Sequence, residues 1–345
     1  MNLANYAKRL TAIELSILPV LASQAIIADM TESPNETKPN DESAAEMRTT
    51  WIHVHVPKAG GSTLRQLFNR NFGDGFYNSN SLLETRQYTS EEVSEIVRCH
   101  PWLKCFSDHK VSIDLPYDHP DTKVMAIGFV RDPLERYVSR YFFHRNFEEV
   151  ACIAQRMSFK EFAVEELVNG NAHPQTNSQI YFLNGGTSFD DLTLVERAIE
   201  SGQAYLFPIE RFDEACICLE KLFPESFKDL SYVMANVSKK DTAIDPEDLQ
   251  FAASYLTKDQ PVWDLANKFL NETLRRTFQS DDEKANRLQE FRDLCSRRHH
   301  NFRPPKPIGQ SDEGANEDAD GTLSNENNSS DNEMRTMAQP SKSEM

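Results

Sequence analysis

Residues 51–63, WIHVHVPKAGGST, constrain what this chain can fold into more than any other stretch. Trp51, His53 and His55 alternate with Ile52, Val54 and Val56, the period of a strand. A glycine turn follows, and then a helix opening at Ser62, with Leu64, Leu67 and Phe68 on one face. A strand, a tight turn and a helix start in that order aim several backbone N–H groups at one point, an arrangement suited to a phosphate. Lys58 adds a mobile positive charge, Ser62 and Thr63 add hydroxyl donors, and Gly60 and Gly61 let the backbone approach without a Cβ in the way. The plainer alternative is an ordinary strand-to-helix turn.

A second segment has the same logic. Residues 123–130, KVMAIGFV, form the nearly continuous apolar run of a strand buried on both faces. The run ends in Arg131-Asp132-Pro133, with Pro133 at a natural first-turn helix position. Leu134, Tyr137, Val138, Tyr141 and Phe142 then recur at helical spacing. Arg131 and Ser139 stand two turns apart, and an arginine fork plus a hydroxyl suits a second phosphate. Pairing of Arg131 with a carboxylate, tying strand to helix, is the alternative.

Together "HVPKAGGSTL" and "FVRDPLERYVSRYFFHRNF" resemble the paired phosphosulfate-binding signatures of Golgi-type carbohydrate sulfotransferases, in particular heparan-sulfate 2-O-sulfotransferase-like and algal or bacterial members. "PQTNSQIYFLNG" and "AYLFPIERFDEACICLEKLF" resemble later blocks of that family, so the likeness covers roughly Trp51 to Leu270. It implies that Lys58, Ala59, Gly60, Gly61, Ser62 and Thr63 hold the 5′-phosphosulfate end of 3′-phosphoadenosine 5′-phosphosulfate (PAPS), and that Arg131 and Ser139 hold its 3′-phosphate. The pattern is not that of a P-loop kinase, because the lysine precedes the glycines and no G-x-x-x-x-G-K-[ST] occurs.

The 345 residues allow one large domain with tails, or two small ones. Residues 33–48 and 303–345 are rich in Asn, Ser, Glu, Asp and Pro without hydrophobic periodicity, which reads as disorder. The expected organisation is therefore a signal peptide or signal anchor over 1–30, a disordered linker over 31–48, a sulfotransferase domain over 49–302 and a disordered acidic tail over 303–345. Lys8 and Arg9 ahead of the apolar run 10–28 suggest the signal or anchor. Glu14, Pro19 and Gln24 interrupt that run, which equally suits an amphipathic terminal helix. Residues 305–345 hold nine acidic and three basic side chains and residues 1–48 seven and four, so about −8 of the net −17 stays on the core. An acidic core argues against nucleic-acid binding and favours a neutral or weakly charged acceptor over a densely sulfated one.

None of the six cysteines forms a C-x-x-C pair or a His/Cys array, so no metal is expected; Cys99 and Cys105 either bridge locally or are free thiols. Sequons at Asn35, Asn236, Asn271, Asn327 and Asn328 permit a secretory route. The resemblance points to the Golgi and to membrane attachment through the N-terminus; the alternative is the cytoplasm.

Further helices are expected over Tyr88–Arg98, capped by Thr89 or Ser90, over Ser158–Val168, through Leu219 and Leu222, and as a pair broken near Pro261 within Asp245–Leu274. Ala204–Ile209 reads as a third strand. Strands alternating with helices imply an α/β fold: a P-loop-like three-layer sandwich with a central parallel sheet and helices on both faces. Ligands on such sheets sit beyond the strand C-terminal ends, where both phosphate segments fall.

Sulfuryl transfer to a hydroxyl needs positive charge where the leaving phosphate develops its own, a role for Lys58, and a base for the attacking hydroxyl. His109, in "CFSDHKVS", resembles the family's catalytic "GH" histidine, with Asp108 standing where glycine is usual. Asp108 either orients the imidazole and raises its pKa or marks a match out of register. His55 is the backup and His100 the third choice. Gln175, Asn177 and Ser178, with His55, are candidates for contacts to a carbohydrate acceptor. Arg136 and Arg140 share the helix of Ser139 and either touch the nucleotide or lie on the surface. Lys239 and Lys240 sit in a loop that either closes over the phosphates or is exposed. The resulting function is a PAPS-dependent O-sulfotransferase acting on a carbohydrate. The rivals are a non-catalytic nucleotide- or glycan-binding relative and, further off, a P-loop nucleotide kinase.

Overall fold

The computed structural model describes residues 47–79, 87–114, 121–146, 156–169, 179–186, 188–234 and 242–301. The expected signal or anchor, most of the linker, the acidic tail, Gln175, Asn177, Ser178, Lys239 and Lys240 lie outside these residues. Strand β1 begins at Arg48, so the expected linker boundary is one residue too late. The reason is visible: Arg48 donates to Thr122 Oγ1 and to the Val97 and Pro101 carbonyls, which ties the strand's first residue into the core.

Five parallel strands make one sheet in the order β2-β3-β1-β4-β5. They are β1 (Arg48–Val54), β2 (Phe76–Asn78), β3 (Cys105–Asp108), β4 (Thr122–Val130) and β5 (Ala204–Pro208). β1 is central, pairing Trp51 with Cys105 of β3 on one side and with Met125 of β4 on the other. One face carries Trp51 and His53 and meets Phe68, Phe223 and Phe227 in edge-on or tilted ring contacts. On the opposite face Gly128, paired with Val54, lies against Leu183 and Ile113. Both faces are covered, as continuous apolar strands require.

The helices follow from their caps and apolar spacing. α1 (Gly61–Phe72) starts one residue before Ser62 and buries Leu64, Leu67, Phe68 and Phe72. α2 (Ser90–Cys99) is held by a full capping box between Thr89 and Glu92. α3 (Pro133–Asn146) has Asp132 as its cap, the carboxylate accepting from the Glu135 N–H at 2.9 Å, with Pro133 in the first turn. α4 (Phe159–Ala163) is capped by Ser158 and Glu161 and widens into a π-helical turn over Val164–Val168. α5 (Gln179–Leu183), α6 (Thr193–Glu200) and α7 (Phe212–Leu222) follow.

α8 (Pro246–Tyr255) and α9 (Gln260–Thr277) form the expected broken pair, with Pro261 inside the first turn of α9. α10 (Asp281–Asn301) packs against α7 through Phe291. Beside the main core, Tyr137, Tyr141 and Phe142 of α3 build a second one with Phe159 and Phe162 of α4 and Ala252 of α8. No helix among the described residues is long and apolar enough to cross a membrane. The described cysteines, Cys99 and Cys105 among them, are free thiols.

Candidate active site

The chain leaves β1 toward β2 and β3 on one side of the sheet and reaches β4 and β5 on the other, so a crevice opens beyond the carboxyl ends of β1, β3 and β4. The lysine loop, His109 and Arg131 are the segments that follow those three strands.

The loop after β1 is shaped by its glycines. Gly60 caps α1 in the left-handed region at φ 83°, without a side-chain cap, and α1 has no acidic residue in its first turn. The positive end of this helix is therefore not neutralised by its own sequence. A Cβ on Gly60 would lie 2.5 Å from Ile209 Cδ1, and one on Gly61 would lie 1.8 Å from His55 Nε2. At Gly61 the ring leaves no room for a side chain, and at Gly60 the left-handed backbone favours glycine. Lys58 is itself left-handed at φ 67°, the one such non-glycine among the described residues, a strained conformation of the kind that recurs at functional sites.

Three cations meet here. Burial, followed by the neighbouring Arg131 and Arg140 guanidinium groups, pushes the Lys58 ammonium down to about 8. Arg131 reaches the Lys58 carbonyl at 3.4 Å and the carboxylates of Glu135 at 3.4 Å and Glu210 at 4.0 Å. Arg140 pairs with Glu166 at 3.0 Å. The carboxylate pairing considered for Arg131 is thus present, in loose form, beside the lysine loop. Ser139 is half-buried on α3. Ala59 and Thr63 are buried and Ser62 half-buried.

The Arg131 backbone is fixed by residues far away in sequence. Its N–H donates to Gln179 Oε1 at 2.8 Å and its carbonyl accepts from Gln179 Nε2 at 2.7 Å. The Gln179 N–H in turn donates to Asp259 at 2.6 Å, and Asp259 forms a buried pair with Arg136 at 3.6 Å. Desolvation leads the shift at both partners, lowering Arg136 and raising Asp259. Removing one member of such a pair strands the other charge, at a cost of about 3–5 kcal/mol. Arg136 also reaches the Pro57 carbonyl at 3.5 Å, so its role is to tie the lysine loop to α3. Glu210 adds a brace, accepting from the Asp132 N–H and the Trp263 indole. Gln179, Asp259 and Glu210 were absent from the sequence reading, because each acts across 48 to 80 residues.

The histidines form a column. His55 stacks on His109 with centroids 4.0 Å apart, and on His53 at 5.4 Å. His53 is sealed in the core beside Ser107 Oγ at 2.7 Å, and burial followed by His109 pushes it down to about 3. His55 is held well below its ordinary value by burial and then His109. His109 Nδ1 lies 2.6 Å from the His55 carbonyl. A carbonyl only accepts, so Nδ1 carries the hydrogen and Nε2 holds the lone pair, the form a base needs.

Asp108, the last residue of β3, is buried. Its carboxylate accepts from the Lys110 N–H at 2.7 Å, and the orienting partner is the His55 carbonyl. Burial lowers the His109 pKa more than the His55 hydrogen bond and Asp108 raise it, so the net shift is downward. His100 is at the other end of the sheet, closing α2 with Nδ1 at 2.8 Å from the Ile96 carbonyl. No group of His, Cys, Asp or Glu among the described residues is arranged to hold a metal ion.

The chain is a member of the sulfotransferase family, whose model matches residues 47–325. A solved sulfotransferase from Alicyclobacillus acidocaldarius is similar over 66% of this chain and 99% of that one, at 14% identity and a TM-score of 0.36, a likeness too slight to bear on the site. No curated protein matches the sequence.

Proposed function

We propose that the protein transfers a sulfuryl group from PAPS to a hydroxyl of a carbohydrate acceptor, with Lys58 and His109 as its catalytic residues. What carries the reading is the convergence, at the carboxyl ends of three adjacent strands, of an uncapped helix start, a desolvated lysine in the field of two arginines, and a histidine whose Nε2 lone pair is fixed. The donor's phosphosulfate end suits a cradle of backbone N–H groups in which Gly61 leaves no room for a side chain and Gly60 is left-handed.

Bound there, PAPS supplies a sulfuryl group on a phosphate leaving group. The acceptor oxygen forms a bond to sulfur while the sulfur–phosphate oxygen bond breaks, in line, as in phosphoryl transfer. His109 Nε2 takes the acceptor's proton. The Lys58 ammonium and the N–H groups of Gly61, Ser62 and Thr63 meet the charge that grows on the leaving oxygen. Arg131, with Ser139, reads the 3′-phosphate. His55 supplies the carbonyl that fixes the His109 tautomer, and Gln175, Asn177 and Ser178 are proposed to hold the acceptor. The modest negative charge of the core favours a neutral or lightly charged glycan, and the Golgi lumen is the compartment this reading implies.

The test is transfer of labelled sulfuryl from PAPS to a panel of neutral and acidic glycans by the full chain. Label should appear on at least one glycan, and Lys58→Ala should cut turnover by about 10²–10³-fold while weakening nucleotide binding far less. Equal loss of both would remove the transition-state role of Lys58. Nucleotide binding with no transfer across the panel would favour a non-catalytic relative.

A further inference from the structure

The Lys58 ammonium lies 3.9 Å from the centroid of the Phe143 ring. Phe143 belongs to α3, but the core positions of that stretch are taken by Tyr137, Tyr141 and Phe142, while Phe143 stays half-buried beside the lysine loop. The charged groups around the ammonium leave it little else. Arg131 and Arg140 repel it, Glu135 and Glu210 lie against Arg131, and Glu166 pairs with Arg140. No carboxylate among the described residues pairs with Lys58. His144, whose ring is 5.6 Å from that of Phe143, is pushed down to about 4 by burial, then Arg140 and Lys58, and so stays neutral near pH 7. An aromatic face carries negative potential and attracts a cation without neutralising it.

We propose that Phe143 is a positioning residue for Lys58: its ring face holds the ammonium inside the donor site, in the field of the two arginines, before the donor arrives. The inference rests on the reading of Lys58 as the residue that grips the phosphosulfate. A carboxylate in that place would hold the ammonium more tightly but would compete with the anionic donor. The ring holds it and yields to a phosphate. A leucine would fill the same space and exert no such pull, so the aromatic character, rather than the volume, is what matters.

Competitive acylation of Lys58 across a pH series, read by mass spectrometry on the full chain, tests this without requiring turnover. The ring stabilises the charged lysine, so Phe143→Leu should lower the labelling midpoint by about half to one pH unit, while Phe143→Trp should leave it in place. In steady-state transfer, Phe143→Leu should lower kcat about tenfold with donor KM within about twofold, and Phe143→Trp should restore it. Phe143→Met, which keeps volume without an aromatic face, replaces the leucine variant if that one unfolds. An unchanged midpoint in the leucine or methionine variant, or a tryptophan variant that behaves like them, would overturn the proposal. If wild-type protein labels as expected yet transfers nothing, the catalytic reading fails and the Phe143 contact stands.

Discussion

His109→Ala should lower the rate of transfer by about 10²–10⁴-fold, the usual worth of a positioned base, and leave nucleotide affinity nearly intact. The Nδ1 hydrogen bond to the His55 carbonyl leaves Nε2 as the one nitrogen able to accept a proton. Its ring is held by the His55 carbonyl and stacks on His55, so its loss should appear in kcat rather than in binding.

The pH profile adds a second readout. His109 must be neutral, and burial holds its pKa below the ordinary 6.5, so the acid limb of kcat/KM should fall below that pH. Lys58 must be charged, and its pKa of about 8 sets the alkaline limb: activity is present below it and lost as pH rises through it. His109→Ala should abolish the acid limb and spare the alkaline one. Retained transfer in this variant would eliminate His109 as the base and return the role to His55.

Gly61→Ala should be the most damaging methyl group among the described glycines. The added carbon would stand 1.8, 2.6 and 2.7 Å from three atoms of the His55 ring. That ring is not free to swing, because it is stacked between His109 and His53. Either the start of α1 moves off the sheet, or the histidine column shifts and carries His109 with it. Overpacking of this kind costs about 1–3 kcal/mol, and a displacement near 1 Å at the reacting groups costs about 10² in rate. Melting and turnover should therefore both suffer. Adding His55→Ala removes the obstructing ring and should recover the melting temperature, though not full activity. A single Gly61→Ala variant with wild-type melting and turnover would show that the loop and ring are not packed as described.

Much of this could be read from the sequence because the informative segments are local. The strand, glycine turn and helix around Lys58, the apolar run into Arg131, and the Thr89 box each announce themselves within a dozen residues. β2 and β3 did not. They are three and four residues long, too short for a period to register, and β3 is buried throughout. α10 escaped for the opposite reason: it is 21 residues of mostly polar surface, with Phe291 its one fully buried side chain. At the site, sequence pointed to the candidate ligand-binding groups and missed the residues that hold them in place. Gln179 on the Arg131 backbone, Asp259 behind Gln179 and Arg136, and Phe143 under Lys58 depend on contacts that only the folded chain brings together. The His55 carbonyl that holds His109 lies 54 residues away, just past β1, and sequence alone did not pair the two.

The crevice beyond β1, β3 and β4 is proposed to take a 3′-phosphorylated adenosine nucleotide, with Arg131 reading the 3′-phosphate. Calorimetric titration of the full chain with 3′-phosphoadenosine 5′-phosphate, and separately with ADP, tests it most directly, with Arg131→Ala as the control. Tight binding of the 3′-phosphorylated ligand alone, lost in the variant, is the expected result. Equal binding of both nucleotides, or binding unaffected by Arg131→Ala, would contradict it.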